Sequence, residues 1–260
     1  MVEERTADPD AIAALARTLA NADTVVALTG AGVSTASGIP DFRGDHGIWE
    51  RFDPMDFRID RFRADPAGFW ADRLELHEAM YGGDGVEPNA AHEALADLAA
   101  VGQLDALITQ NTDGLHTDAG TEAELIEIHG NASRVVCTAC GRRADTETAQ
   151  ARATDGALPP RCPDCEGPFK PDVVLFGEQL DSSDLRRARQ LAADADLFLA
   201  IGSSLTVEPV ASLPRIATER GGTLAVVNLE TTPHSGRAEY DLRADVTDAL
   251  PRLYRAVTDR

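Results

Sequence analysis

Short apolar runs that alternate with helical patterns constrain the fold of this chain more than any other feature. Helical patterns such as Ala90–Ala100 and residues 183–193 precede the later runs. Segments that are apolar on both faces are typical of parallel strands buried between helices. The sequence therefore predicts an α/β fold with a doubly wound parallel sheet, whose strands include residues 24–29, 104–109, 196–201 and 223–228.

Two stretches interrupt this alternation. Residues 45–89 are rich in Phe, Trp, Arg and Asp without a strand pattern, which predicts a helical insertion. Residues 132–169 contain every cysteine and a Pro-Pro turn, which indicates a small inserted module. The remaining segments, residues 1–44, 90–131 and 170–260, are predicted to form one Rossmann-like domain.

The four cysteines form two matched pairs, Cys137-x-x-Cys140 and Cys162-x-x-Cys165. A two-residue gap lets both thiolates of a pair reach one ion, so the spacing predicts a single tetrahedral zinc site. Four thiolates leave no open coordination position, and we expect a structural metal. Two disulfides of a secreted protein are the alternative, although nothing else in the chain indicates secretion.

The charge of the chain limits its partners. The formal net charge is −20, with 44 acidic and 24 basic residues, which argues against direct binding to nucleic acid. Lys170 is the sole lysine, and an acidic surface poor in lysine suggests a halophilic source. No stretch approaches the ~20 apolar residues that cross a bilayer, so we expect no membrane contact and a cytoplasmic location.

A glycine-rich turn, residues 30–32, follows the first predicted strand. At this place in a doubly wound sheet, backbone N–H groups and a helix N-terminus usually hold a pyrophosphate. The usual dinucleotide fingerprint is incomplete, because Thr35 replaces its third glycine. Asp41, Phe42 and Arg43 follow in a loop that could fold over a ligand. The alternative is a turn that only permits tight packing.

Polar residues also follow the second strand, where Gln110, Asn111, Thr112 and Asp113 are expected to line the ligand crevice. His129 lies at the junction with the cysteine module, a place where clefts form. An imidazole there is a candidate general base. For the remaining histidines we expect structural roles: His116 positions its loop, and His46, His77, His92 and His234 are surface or helix residues.

Together these motifs resemble those of sirtuins, the NAD-dependent protein deacylases. The paired cysteines and six further motifs occur in the family's order: residues 30–44, 109–116, 129–130, 170–178, 202–205 and 227–230. The resemblance covers about residues 12–255. It implies that the Rossmann-like domain binds NAD as a co-substrate and that the enzyme removes acyl groups from protein lysines.

The resemblance also implies a mechanism. In sirtuins the acyl oxygen attacks C1′ of the nicotinamide ribose, nicotinamide leaves, and a histidine acts as general base on the ribose hydroxyls. The products are 2′-O-acyl-ADP-ribose and free lysine. His129 matches that base, Asn111 and Asp113 match residues around the ribose and the amide, and Phe42 matches the ring beside C1′.

Further positions follow from the resemblance alone. Val174, Phe176 and Gly177 match the strand that pairs with the substrate peptide. The expected NAD contacts are Gly30, Ala31, Gly32, Thr35, Asp41, Phe42, Arg43, Gln110, Asn111, Thr112, Asp113, Gly202, Ser203, Ser204, Asn228, Leu229, Glu230, Asp245 and Val246.

The sequence says less about which acyl group on the substrate lysine is preferred. Sirtuins that prefer succinyl or malonyl lysine carry a Tyr-x-x-Arg pair, and an ungapped alignment places Arg73 and Leu76 at those positions. The pair is thus absent, and we expect acetyl-lysine to be preferred, with Arg73 as a candidate acyl contact that leaves desuccinylation or demalonylation open. Mono-ADP-ribosyl transfer on the same scaffold also stays open. A non-enzymatic zinc-ribbon binding module is disfavoured, because it predicts loss of the cleft residues.

Overall fold

The computed structural model describes residues 6–42, 47–82 and 86–259, so Arg43 and His46 lie outside the described residues. The strands are β1 (Val25–Thr29), β2 (Ala106–Thr109), β3 (Glu124–Glu127), β4 (Gly130–Cys137), β5 (Arg143–Asp145), β6 (Phe169–Val173), β7 (Leu197–Ile201), β8 (Thr223–Val227) and β9 (Tyr240–Leu242). The α-helices are α1 (Pro9–Asn21), α2 (Ile59–Ala64), α3 (Pro66–Tyr81), α4 (Ala90–Ala100), α5 (Leu115–Asp118), α6 (Thr146–Thr154), α7 (Ser182–Asp194), α8 (Leu213–Glu219) and α9 (Val246–Thr258).

A six-stranded sheet forms the large lobe, in the order β3-β2-β1-β7-β8-β9. All of its pairings are parallel. The chain extends from the central β1 to one side through β2 and β3, and later to the other side through β7, β8 and β9. The strand order therefore reverses beside β1, which is where a doubly wound sheet opens a ligand crevice at the carboxyl ends of its strands.

Both faces of this sheet are covered, as the apolar strands require. Val25 and Ala27 point to the face packed by α1, α4 and α9. Val26 and Leu28 point to the opposite face, which is packed by α7 and α8. Every residue of β1 is buried. The prediction of a doubly wound α/β sheet is confirmed, and this two-sided burial is its physical reason.

A second lobe combines both predicted insertions. Its antiparallel sheet has the order β5-β4-β6, and its apolar side chains join those of α2, α3 and α6 in one core. Trp70 of α3 is buried there and its Nε1 donates to the carbonyl oxygen of Phe169 in β6, at 2.8 Å. The helical insertion and the cysteine module thus pack as a single small lobe, and its sheet runs slightly beyond residues 132–169.

Some elements differ from the prediction. β9 was missed because it is only Tyr240–Leu242, too short to show a pattern. β3, which precedes His129, ends at Glu127. Among the described residues, no helix has the length and apolar character to cross a membrane.

The four cysteines meet at one point of the small lobe. The Sγ atoms of Cys137 and Cys165 are 3.4 Å apart, and those of Cys140 and Cys162 are 3.7 Å apart. All four lie within 4.8 Å of one another. A disulfide needs about 2.05 Å, whereas a tetrahedron with Zn–S bonds of ~2.3 Å has edges of ~3.8 Å. The cluster therefore fits one zinc ion and not two disulfides.

The turns around the cysteines are shaped for this arrangement. A Cβ added at Gly167 would lie 2.6 Å from the Ala139 side chain and 3.0 Å from Cys137 Sγ. Only glycine fits between the two cysteine turns. The backbone N–H of Cys162 donates to the Gly167 carbonyl at 2.9 Å, which closes the second turn.

We expect one zinc ion per chain and unfolding of the small lobe when it is removed, because binding energy at a four-thiolate site is folding energy. Zinc content and near-UV circular dichroism before and after chelation measure this. Cys140→Ser should lower the zinc content and the melting temperature. Thr138→Ser, a change in the same turn, is the matched control and should keep the metal. A folded small lobe in the metal-free protein would contradict the assignment.

Candidate active site

Two loops approach each other closely at the carboxyl edge of the sheet. The N–H of Gly32, after β1, donates to the Gly202 carbonyl, after β7, at 2.9 Å. A Cβ on Gly32 would lie 2.9 Å from that oxygen, and a Cβ on Gly30 would lie 2.8 Å from the Ser203 Cβ. Both glycines are therefore required by packing. The described residues after this turn form two short 3₁₀ turns, Ala31–Val33 and Thr35–Ser37. The α-helix N-terminus expected here is therefore not found among them.

A hydrogen-bond network joins this turn to the loop after β2. The amide Nδ2 of Asn111 donates to the Gly30 carbonyl at 3.1 Å and to the Ser34 hydroxyl at 3.0 Å. Ser34 in turn donates to Asp113 Oδ2 at 2.7 Å. The amide of Gln110 donates to Ser203 Oγ at 2.9 Å. Asn111 and Asp113, which follow β2, are thereby linked to the same hydroxyl of Ser34.

The Asp113 carboxyl lies in a low-dielectric position. Burial raises its pKa, while hydrogen bonds from the Leu115 N–H and the Ser34 hydroxyl stabilise the anion and oppose that shift. A carboxylate held in this way is suited to accept a hydrogen bond from a ligand amide or hydroxyl.

His129 is oriented by the same loop. Its Nδ1 lies 3.0 Å from the carbonyl oxygen of Gln110. Since a carbonyl only accepts, Nδ1 carries the proton and Nε2 is left as the basic nitrogen. Burial lowers the pKa of His129, partly offset by the bond to Gln110, so the ring is neutral at pH 7. The geometry is that of a general base whose tautomer is set by the backbone.

Ser34 was not singled out from the sequence, and His92, which was expected on the surface or in a helix, lies in α4. The N–H of Asn89 donates to His92 Nδ1 at 3.3 Å, so His92 Nε2 carries a proton and points to Ser34 Oγ at 3.4 Å. His92 is fully buried, not on the surface, and burial lowers its pKa to about 4. It therefore supports the Asn111–Ser34–Asp113 network. The Asn-x-x-His capping box that begins α4 was the available signal.

His116 has the structural role expected of it. Its Nε2 lies 2.9 Å from Thr29 Oγ1 and its ring packs 4.8 Å from that of His92. Burial lowers its pKa to about 3. The two neutral imidazoles fill the space beneath the polar loop, so a positive charge there would be strongly disfavoured.

The residues predicted to bind the far end of a dinucleotide follow β7, β8 and β9. Gly202 has a φ of +56°, and its N–H donates to the Val227 carbonyl at 2.9 Å. Asn228 Nδ2 donates to the Glu230 carbonyl, also at 2.9 Å. The Asp245 carboxylate caps α9 by accepting from the Thr247 N–H. These positions share one edge of the sheet with Ser204, Leu229 and Val246.

Aromatic side chains connect the loop after the glycine turn to the small lobe. Phe42 stacks on Trp49 with centroids 5.5 Å apart, and Trp49 meets the edge of Phe176 at 5.6 Å. The Asp41 carbonyl accepts from the Ile48 N–H at 2.8 Å. Phe42 thus packs against the core of the small lobe.

The segment predicted to pair with the peptide lies beside this aromatic cluster. The N–H of Val174 donates to the His129 carbonyl at 2.8 Å. The N–H of Phe176 donates to the Phe57 carbonyl at 3.2 Å, and its own carbonyl accepts from Ile59 at 3.0 Å. The backbone of Phe176 is therefore already paired, while its side chain is 39% exposed. Gly177, with φ +80°, forms the adjoining turn.

Arg73 is the most unusual buried group of the small lobe. It is only 6% exposed, and its Nη1 has no hydrogen-bond partner among the described residues. Tyr81 forms a hydrogen bond with the Thr112 side chain. Burial raises the pKa of Tyr81, and the nearby positive charge of Arg73 partly opposes that shift. A guanidinium beside the Thr112–Asp113 loop is thus left with an unused donor.

Comparison with known proteins agrees with this geometry. Residues 30–209 match the model of the Sir2 family. An NAD-dependent protein deacetylase of Haloarcula marismortui is 58% identical over 247 residues, which cover 95% of this chain and 94% of that protein. A solved structure of a Sir2 enzyme, which addresses the mechanism and regulation of these enzymes, has a TM-score of 0.85 at 36% identity. The match covers 97% of this chain and 99% of that one.

A second solved structure is similar to nearly the same extent. A Sir2 protein solved with deacetylated p53 peptide and 3′-O-acetyl ADP ribose has a TM-score of 0.84 at 37% identity, covering 92% of this chain and 96% of that chain. The family model alone spans more than half of the chain. The chain is therefore a member of the Sir2 family.

Proposed function

We propose that this protein is an NAD-dependent protein deacetylase in which His129 is the general base. The observation that carries the proposal is the pairing of His129 Nδ1 with the Gln110 carbonyl at 3.0 Å. It leaves a neutral, basic Nε2 beside the loop that holds Asn111 and Asp113. NAD supplies an electrophilic ribose carbon from which nicotinamide leaves; this chain orients the ribose, excludes water and moves protons.

The residues around the crevice fit such a co-substrate. The N–H groups of Gly30 and Gly32 are already bonded to the Ile201 and Gly202 carbonyls. The turn would therefore offer a pyrophosphate a surface without bulky side chains, and Ser203 and Ser204 would add hydroxyls. Asn111 and Asp113 offer an amide and a carboxylate to the ribose and the nicotinamide amide. Phe42 and Trp49 form an apolar wall that would shield the reacting carbon from solvent.

The three regions predicted from the sequence would have separate roles. Residues 1–44, 90–131 and 170–260 would bind NAD, and residues 45–89 and 132–169 would supply the helical and zinc-binding parts of the small lobe. An acylated lysine in an extended peptide would enter between Phe176 and Gly177 on one side and the Ser203–Ser204 loop on the other. Free thiols arranged for zinc favour a reducing, cytoplasmic compartment, and the charge of −20 disfavours direct nucleic-acid binding.

His129→Ala should lower NAD-dependent deacetylation of an acetyl-lysine peptide at least about 10²-fold, the low end for loss of a general base. Products are identified by mass spectrometry in concentrated KCl. NAD affinity and the melting temperature serve as controls and should change little. Activity within a few-fold of the unmodified protein would remove His129 from the mechanism, and transfer of ADP-ribose to protein in place of deacetylation would favour the alternative reaction.

The pH dependence gives an independent test. Because burial lowers the pKa of His129, the rate should fall on the acid side with a midpoint below the ordinary value of about 6.5. His92 and His116 have folded pKa values of about 4 and about 3. Folding excludes their protonation, so stability also falls as the pH drops below about 6.5. Melting curves at each pH separate the two effects, and an acid midpoint above 6.5 would contradict the assignment.

The Arg73 guanidinium, whose Nη1 has no hydrogen-bond partner among the described residues, favours a second activity of the same site. A buried cation with an unused donor can offset the desolvation of a carboxylate on a succinyl or malonyl group. The Tyr81 hydroxyl, next to Thr112, would be a second donor. Leu76, by contrast, is buried in the apolar core and offers no charge. We therefore propose deacetylation as the main activity and removal of acidic acyl groups as an Arg73-dependent secondary one.

Arg73→Ala should lower kcat/KM for a succinyl-lysine peptide at least about tenfold, the value of one charge-assisted hydrogen bond. For an acetyl-lysine peptide of the same sequence, kcat/KM should stay within a few-fold. Measuring both peptides in high salt suppresses long-range repulsion from the acidic surface. Equal losses for the two peptides would assign Arg73 a structural role only.

A further inference from the structure

A tight turn, residues 175–178, forms the wall of the proposed peptide cleft. The N–H of Glu178 donates to the Leu175 carbonyl at 2.9 Å, and Gly177 supplies the positive φ of +80° that the turn requires. On one side the turn is held by the two backbone bonds between Phe176 and the segment of Phe57 and Ile59. On the other side the hydrogen bonds run through two side chains, Glu178 and the residue that pairs with it.

The residue that pairs with Glu178 is Lys170, in β6. Its Nζ donates to the Val173 carbonyl at 2.7 Å and to Glu178 Oε2 at 2.8 Å. The same carboxylate oxygen accepts from the Leu175 N–H at 3.0 Å. One ammonium group therefore fixes the strand end before the turn and, through Glu178, both ends of the turn itself.

The identity of this cation is exceptional in the chain. Lys170 is the sole lysine among 24 basic residues. In every other ion pair between described residues the cation is an arginine. The Lys170 side chain, at 10% exposure, is also the most buried cation of these pairs. A compact ammonium can donate to two oxygens in a small space, whereas a planar guanidinium is larger and has fixed donor directions.

The two arginines that line the adjacent cavity are already paired. The turn backs onto a cavity of about 490 Å³ whose lining includes Lys170, Glu178 and two arginines. Arg134 is bonded to Glu127 and Asp172, and Arg143 is bonded to Asp172. Without Lys170, the half-buried Glu178 carboxylate would lack a counter-charge and could retract into this space, taking with it the bond to the Leu175 N–H.

Lys170 also ties the turn to the zinc-binding lobe. It pairs with Val136 in the register of β4 and β6, next to Cys137. The position of the turn relative to the catalytic histidine, which precedes β4, is therefore set through the same small sheet.

From this geometry we propose that Lys170 is a positioning residue for the substrate peptide: by holding the turn of residues 175–178 through Glu178, it sets peptide affinity without contacting NAD or the reacting atoms. The proposal rests on the proposed deacetylase function. It predicts a selective defect, because the hydrogen bonds around His129, Asn111 and Asp113 do not involve Lys170.

The test compares K170M with R187M. Arg187 forms an exposed pair with Glu124 on the large lobe, so its variant makes a matched loss of charge away from the cleft. For K170M the KM of an acetyl-lysine peptide should rise about tenfold, as expected when a half-buried group loses its partner. The KM for NAD and kcat at saturation should stay within about twofold, and R187M should match the unmodified protein throughout. Anisotropy of a labelled acetyl peptide gives its binding without turnover.

The outcomes separate the hypotheses. An unchanged peptide KM in folded K170M, or parallel losses in kcat and both KM values with lower zinc content, would overturn the positioning role. If K170M does not fold, K170R carries the same test: it keeps the charge but cannot reach both oxygens equally, so peptide KM should still rise and an unchanged value refutes the proposal. A lack of deacetylation by the unmodified protein would instead refute the function.

Discussion

The close approach of the loops after β1 and β7 is the constraint on which the rest of the site depends. With the Gly32 N–H bonded to the Gly202 carbonyl at 2.9 Å, there is no room for a side chain on either glycine of the turn. This contact places Ser34 over the loop after β2. The Asn111 amide can then donate to both the Gly30 carbonyl and the Ser34 hydroxyl, and the Asp113 carboxylate accepts a hydrogen bond from that hydroxyl. A substitution at Gly32 would therefore disturb the polar network before it affected the sheet.

Much of the fold could be predicted because its signals are local. A strand buried on both faces appears as a continuous apolar run, and β1, β2, β7 and β8 all do so. β9 could not be found, since its three residues are held by pairing with β8 and not by their own pattern. Nor could the common core of the two insertions be seen, because it depends on contacts such as Trp70 with Phe169 that are distant in sequence.

The site divides in the same way. His129, Asn111 and Asp113 stand directly after predicted strands or at a lobe junction, so topology alone brings them together. Ser34 and His92 escaped because their importance comes from a chain of hydrogen bonds between the glycine turn, α4 and the loop after β2. The spacing of the cysteines, by contrast, was enough to predict that all four meet at one metal site, since two Cys-x-x-Cys pairs are the usual ligands of a tetrahedral zinc ion.

The bond between the Val174 N–H and the His129 carbonyl joins two of the chain crossings between the lobes. Gly130 and Val173 pair directly beside it. His129 is therefore attached on two sides: its carbonyl is bonded to the small lobe through Val174, and its ring is bonded to the loop after β2 through the Gln110 carbonyl. The position of the imidazole is thus fixed by both lobes at once.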